Sequence, residues 1–230
     1  MKKKVLHVSA GGLNHGGVGT VIFSIVESLY EQFDFSCVVF SRKSAPEEKF
    51  EKYGKLYRIN CYPQKGKRDY LELITRPFKL YFGIRRICRK ERFDVIHCHN
   101  QKDEWICLLA AKHEHVPIRI AHSHNPNSSR KVSTIERLYK NISPIMLNKV
   151  ATVKIGCSKF ACEQFYNSQQ FTVVPNSIDL SGFSIEKRIL HSGVNFIHVG
   201  RFTYQKNQEF VLETFAEICK QLNDVHLFLV

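Results

Sequence analysis

The chain has 230 residues, 43% of them apolar, enough to bury the core of one large domain or of one and a half smaller ones. Its 34 Lys and Arg against 21 Asp and Glu leave a formal charge of +13, which calls for an acidic partner: nucleic acid, anionic lipid or a phosphorylated substrate. No window approaches the roughly 18 consecutive apolar residues of a membrane-spanning helix, and "MKKKVLHVSAGG" turns polar too soon for a signal peptide, so the start is expected to be a first strand.

In chain order, short β-branched runs alternate with longer amphipathic segments. "KVLHVS" is a strand, and "GGLNHGGVGT" at residues 11–20 follows it with five glycines. Glycine there permits positive backbone angles and lets another group approach bare peptide. The loop fits neither G-x-x-x-x-G-K-[ST] nor G-x-G-x-x-G, so a nucleotide-hydrolysing P-loop and a standard dinucleotide fingerprint both lose support. Two readings stay open: a helix amino end suited to a diphosphate, or a tight turn with no ligand. Next come a helix in "VIFSIVESLYEQF", strands in "FSCVVFS" and "YRINCY", a helix near 70–91, a strand in "FDVIHCHN", a helix near 103–113 and a strand in "IRIAHSHN". "KVATVKIGCSKFACEQF" gives a strand and a helix, and "FTVVPNSIDLSGF" a short strand entering a turn. Residues 176–193 suit a linker, after which "VNFIHVGRFTYQKNQEFVLETFAEICKQLNDVHLFLV" restarts the pattern. The pattern predicts an α/β fold: a Rossmann-like parallel sheet in residues 1–180, then a linker and the first βαβ elements of a second Rossmann-like domain in 181–230. The eight cysteines form no C-x-x-C pair and lie in or beside apolar runs, so reduced core thiols and a cytoplasmic setting are expected.

Ligands of such sheets sit beyond the carboxyl ends of the strands. Those ends carry the glycine loop, then His97, His99 and Asn100, then His122, Ser123, His124 and Asn125. Strand alternation sends His97 and His99 to one face and Cys98 to the other, so four clustered metal ligands are not assured. Buried hydrogen-bonded imidazoles, a substrate contact and a zinc site, with a metal-dependent hydrolase as its corollary, all remain open. In "TRPFKLYFGIRRICRK", Pro77 is expected to start a helix, with Phe78, Phe82 or Tyr81, Ile84 and Cys88 facing the core. Arg76, Lys79, Arg85, Arg86, Arg89 and Lys90 then form either a solvated face or a surface for anionic lipid.

Together, "GGLNHGGVGTVIFSIVESL", "FDVIHCHN", "IRIAHSHN", "CSKFACEQF", "VVPNSIDLSGF" and "VGRFTYQKN" resemble, in order and spacing, the GT-B glycosyltransferases of family 4, especially the bacterial capsule and exopolysaccharide branch. The resemblance implies a retaining enzyme without a catalytic metal or cofactor, moving a sugar from a nucleotide diphosphate to a lipid-linked or polysaccharide acceptor at the inner membrane face. It implies that Gly16 and Gly17 approach donor diphosphate or acceptor, that Asn100 joins the substrate site, and that His124, or alternatively His122, contacts the transferred sugar. Arg201 and Lys206 match the basic pair that neutralises the leaving diphosphate, while Asn176 and Asp179 are expected to shape a turn. The family's E-x₇-E element is not recognised between Lys206 and Val230, so the chain taken alone is expected to be an inactive fragment. The alternative is a non-catalytic binding module for an anionic partner such as nucleic acid. No nucleic-acid module or row of stacking aromatics supports that, and no nucleic-acid partner is expected.

Overall fold

A computed structural model describes residues 1–10, 12–13, 16–40, 46–61, 70–99, 103–124, 134–166, 170–177, 180 and 192–230. The chain forms two compact units, Met1–Asp179 and Leu180–Val230. The first unit alternates strand and helix: β1 (Lys3–Ser9), α1 (Gly17–Leu29), β2 (Phe33–Val39), α2 (Pro46–Phe50), β3 (Gly54–Arg58), α3 (Tyr70–Glu91), β4 (Val95–Cys98), α4 (Glu104–His113), β5 (Ile118–Ser123), α5 (Thr134–Val150), β6 (Val153–Gly156), α6 (Lys159–Tyr166) and β7 (Thr172–Val173). Every strand pair is parallel, in the order β3-β2-β1-β4-β5-β6-β7. The order reverses between β1 and β4, the position at which an open parallel sheet leaves a crevice at its carboxyl edge.

Both faces of the sheet are covered, which is why its strands read as continuous apolar runs. On one face Leu6, Val8, Ile96, Cys98 and Ala121 pack with Leu80 and Ile84 of α3, Cys107 and Leu108 of α4, Leu147 of α5 and Phe165 of α6. On the other, Val5, Phe35, Cys37, Val39 and Val95 pack with Ile22 and Val26 of α1 and with Phe50. Each large aliphatic buried in this way contributes about 1.5–3 kcal/mol relative to exposure. Six of the eight cysteines are buried free thiols, with Cys157 half-buried and Cys219 exposed.

Helix α3 departs from its expected form in two respects. It begins at Tyr70 and runs through Pro77, which therefore does not start it. A proline there forfeits one backbone hydrogen bond to the preceding turn, a loss that a 22-residue helix anchored on the sheet absorbs. Its core stripe is Leu80, Ile84 and Cys88, whereas Ile74, Phe78 and Phe82 are 66%, 63% and 60% exposed. Phe78 and Leu80 are two residues apart, about 200° around the helix, so only one of the two apolar stripes can meet the sheet. Strand β3 also ends at Arg58, ahead of most of "YRINCY". Helices α2 and α5 have no counterpart among the expected elements. Among the described residues, no helix is long and apolar enough to cross a membrane.

In the second unit, β8 (Val194–His198) and β9 (Val225–Leu229) pair in parallel across α7 (Gln208–Gln221). Gly193, at φ 82°, opens β8 where an added Cβ would lie 1.8 Å from the Asp224 carbonyl oxygen. Only glycine fits that position.

Candidate active site

Alternation along β1, β4 and β5 aims His7, His97, His99, His122 and His124 to one face of the sheet, continuing the row of Val5, Val95 and Ile120 toward the carboxyl edge. His7 stands opposite His97 across the switch between β1 and β4. Cys98 points into the opposite core, as alternation requires. The rings form hydrogen-bonded pairs between strands. His7 Nδ1 lies 3.1 Å from His99 Nε2, His99 Nδ1 lies 2.8 Å from His124 Nε2, and His97 Nε2 lies 3.0 Å from His122 Nδ1. His97 and His122 stack within 9° of parallel.

Burial decides the charge of these rings. His7 and His122 are driven down to about 3 and His124 to about 4, in each case first by desolvation. His97 and His99 lie well below the ordinary imidazole value for the same reason, reinforced by neighbouring imidazoles. All five are neutral near pH 7, each with one N–H and one bare nitrogen. His7 Nε2, His122 Nε2 and His124 Nδ1 are buried with no partner among the described residues. Four of the rings are buried, while His124, at the strand end, is half-buried.

Glu104, the first residue of α4, is also fully buried. Its Oε1 accepts the His122 backbone N–H at 2.8 Å, just past the last rung of the β4–β5 ladder. Desolvation holds its carboxyl well above the ordinary range. The residue thus replaces a missing strand partner and fixes the part of β5 that carries His122 and His124.

Two triads, His7/His97/His99 and His99/His122/His124, bring ring nitrogens within 4.8 Å of one another among the described residues. An all-imidazole set of this kind suits a borderline transition metal such as zinc. Both triads use His99, whose two nitrogens already pair with His7 and His124, so a metal would have to displace those contacts.

The glycine loop leads into α1. Ser9 Oγ donates to the Gly12 carbonyl, Gly12 adopts φ 75°, and Gly16 caps α1 in an extended conformation without a side-chain cap. A Cβ added at Gly17 would meet nothing within 4 Å, so the amino end of α1 is open at that point. With no side-chain cap at Gly16 among the described residues, the partial positive charge of this helix end suits an anion. Asn100 lies outside the described residues, as does Asp179; Asn176 is exposed.

In the second unit, Arg201 and Lys206 both lie in the exposed connection between β8 and α7. The Arg201 carbonyl accepts Gln208 Nε2 at 2.9 Å, and Lys206 closes a 3-10 turn before Asn207, which caps α7 at φ 48°. The spacing E-x₇-E does occur after Lys206, at Glu209 and Glu217 of α7, contrary to the sequence reading. Both glutamates are exposed and Glu217 pairs with Lys220. The sequence reading also passed over His7 and Glu104. Parity with Val5 and Ser9 on the first strand was the available signal for His7; nothing local marked Glu104.

A parallel α/β sheet with its polar side chains gathered at the carboxyl edge of the switch, followed by the start of a second βαβ unit, defines the Rossmann-like architecture of GT-B glycosyltransferases. The chain belongs to Glycosyltransferase Family 4, whose sequence profile matches residues 15–181. It is 22% identical over 226 residues to the capsular polysaccharide biosynthesis glycosyltransferase CapH of Staphylococcus aureus, covering 96% of this chain and 59% of CapH. It is 25% identical over 171 residues to the Escherichia coli UDP-Gal:alpha-D-GlcNAc-diphosphoundecaprenol alpha-1,3-galactosyltransferase, covering 67% of this chain and 43% of that enzyme. The structure of Anabaena HepE, in complex with UDP and glucose, superposes with a TM-score of 0.70 at 17% identity over 99% of this chain and 60% of HepE. The chain therefore spans about 60% or less of these relatives.

Proposed function

We propose that the protein transfers a sugar, with retention of configuration and without a metal or other cofactor, from a nucleotide diphosphate sugar to a lipid-linked or polysaccharide acceptor in capsule or exopolysaccharide synthesis. The family match over residues 15–181 carries the reaction class. Uridine as the donor nucleotide is supported by the UDP in HepE, and a lipid diphosphate acceptor by the name of the E. coli relative. His124 is the imidazole that contacts the transferred sugar, and Gly16 and Gly17 at the amino end of α1, which is open at Gly17, approach a phosphate or acceptor oxygen. Arg201 and Lys206 meet the charge that develops on the leaving diphosphate, Arg201 as a fork and Lys206 as a point charge.

The protein works in the cytoplasm, resting on the inner membrane face through the exposed side of α3. Ile74, Phe78 and Phe82 form an apolar stripe there, and Phe82, Arg85, Arg86, Arg89 and Lys90 line an open depression of about 450 Å³. Arg85 and Arg89 are paired with Glu114, whereas among the described residues Arg86 and Lys90 form no salt bridge, although Lys90 lies near enough to Glu91 to help hold its carboxyl below the ordinary range. The 230-residue polypeptide by itself is inactive.

A transfer assay on the encoded protein, with UDP-sugars and a polyprenyl-diphosphate glycan, tests this reading. Transfer that persists in EDTA and keeps the anomeric configuration of the donor is expected. Inversion, or activity abolished by EDTA and restored by a divalent ion, would refute the mechanism.

A further inference from the structure

Helix α7 opens on a buried polar side chain. Among its described residues Gln208 is the one that is buried, while its apolar neighbours Phe210 and Leu212 are exposed. Burying an amide costs free energy unless it is hydrogen-bonded, so packing alone does not explain a glutamine at this position. Its partners do. Gln208 Nε2 donates to the Arg201 carbonyl at 2.9 Å and lies 3.4 Å from Nε2 of His198, the last residue of β8. A carbonyl only accepts, so the NH₂ end of the amide is the end that faces it.

These contacts fall between two backbone ties of the β8–α7 connection. Before Arg201, the Gly200 N–H donates to the Val230 carbonyl and continues the sheet. After it, the Lys206 and Asn207 N–H groups close on the Thr203 carbonyl. Phe202 and Tyr204, between the ties, are both exposed and give the loop little apolar anchorage. The Arg201 carbonyl is held by Gln208 and, at a longer 3.4 Å, by Thr203 Oγ1. Fixing that carbonyl fixes the peptide plane after Arg201, and with it the direction in which the Arg201 side chain leaves the loop.

We propose that Gln208 is a positioning residue that aims the Arg201 guanidinium by holding the Arg201 carbonyl. It acts on the reaction through Arg201. The proposal rests on the reading above for what Arg201 meets, the leaving diphosphate; its hold on the loop concerns this chain alone.

Steady-state transfer by the encoded protein from a UDP-sugar tests it with Gln208→Met, which keeps the length and loses the N–H, and Gln208→His, whose Nε2–H reaches about as far as the amide nitrogen it replaces. Gln208→Met should lower kcat by about ten- to a hundredfold, as a misplacement of about 1 Å does. KM should change less, because the charge that Arg201 meets develops in the transition state. Gln208→His should recover most of the loss. In an Arg201→Ala background, Gln208→Met should cost less than about twofold, since the contribution it removes is already gone. If Gln208→Met does not fold, Gln208→Glu takes its place: an acid in the first turn favours the helix, yet its carboxylate donates nothing to the Arg201 carbonyl. Unchanged kcat in the folded variant would overturn the proposal, as would an equal loss in the Arg201→Ala background, which would make Gln208 a support of the helix alone. Amide hydrogen exchange separates the hold on the loop from the function. Exchange of the Lys206 N–H should quicken in Gln208→Met and slow again in Gln208→His, and an unchanged rate would overturn the proposal. The expected exchange in a protein that transfers no sugar would uphold the hold on the loop while refuting the proposed function.

Discussion

At the scale of single residues, the histidine cluster makes the fold sensitive to acid. His7, His122 and His124 titrate at about 3, 3 and 4 in the folded chain, against 6.5 unperturbed, and His97 and His99 lie well below that value. Between those values the unfolded chain binds more protons than the folded one, so stability is lost as pH falls below 6.5. The slope reaches about 1.4 kcal/mol per pH unit for each histidine. Buried Glu104 acts in the opposite sense: the folded state keeps a proton that the unfolded state releases above the ordinary carboxylate range, so its contribution declines as pH rises. One carboxyl does not offset five imidazoles. A lower urea midpoint at about pH 5 than at about pH 7 is expected, and equal midpoints would contradict neutral burial of the rings. Arg201 and Lys206 are exposed, so truncating them should leave stability intact. Arg201→Ala or Lys206→Ala in the encoded protein should slow transfer by about 2–4 kcal/mol of barrier, the cost of removing one preorganised donor. Unchanged kcat in both variants would remove them from the diphosphate role. Alternation made the shared face of His97 and His99 legible in the sequence. Their pairing with His122, His124 and His7 was not, because it depends on register between strands that are joined by long crossovers.

At the scale of elements, the proposed membrane contact rests on α3. Its exposed stripe of Ile74, Phe78 and Phe82 lies beside Arg86 and Lys90, the arrangement of a helix lying in a membrane interface. Each cation near an anionic surface is worth about 1 kcal/mol and is screened over a Debye length. Binding to anionic vesicles should exceed binding to neutral ones and fall with added salt. Phe78→Ser combined with Phe82→Ser should weaken it without unfolding the chain. Equal binding to neutral and anionic vesicles would exclude this mechanism. The "KGKR" segment at 65–68, a further source of charge, lies outside the described residues. Most strands and helices were legible because buried parallel strands and amphipathic helices carry different periods. The errors have local causes. In α3 two apolar stripes compete and only the sheet chooses between them. In α5 a proline at 144 and the polar residues between its apolar ones hide the ridge that, among the described side chains, buries Ser143, Leu147 and Val150. Glu104 was invisible as a functional residue because its partner is a backbone N–H on β5, set by where the β4 ladder stops.

At the scale of the whole molecule, the two units differ in how much core they hold. Met1–Asp179 buries both faces of a seven-stranded sheet, whereas the described residues of the second unit form two strands and one α-helix around contacts such as Phe196 against Phe215. There Ile197, Phe202 and Phe210 are 69%, 72% and 61% exposed. A two-stranded sheet with a single helix is marginal in water, and its strand edges are templates for pairing. Arg201 and Lys206 sit on this thinly packed unit, while transfer requires reacting atoms held about 3–3.5 Å apart in a fixed orientation. A loop on so small a core is not held to that precision, whatever charge it carries. A polypeptide of these 230 residues should therefore show no turnover of a nucleotide sugar. Its amide hydrogens in β8, α7 and β9 should exchange faster than those of β1, β4 and β5. Turnover at a rate near that of the encoded protein, or equal protection in the two units, would show that the second unit is a sufficient donor platform as it stands.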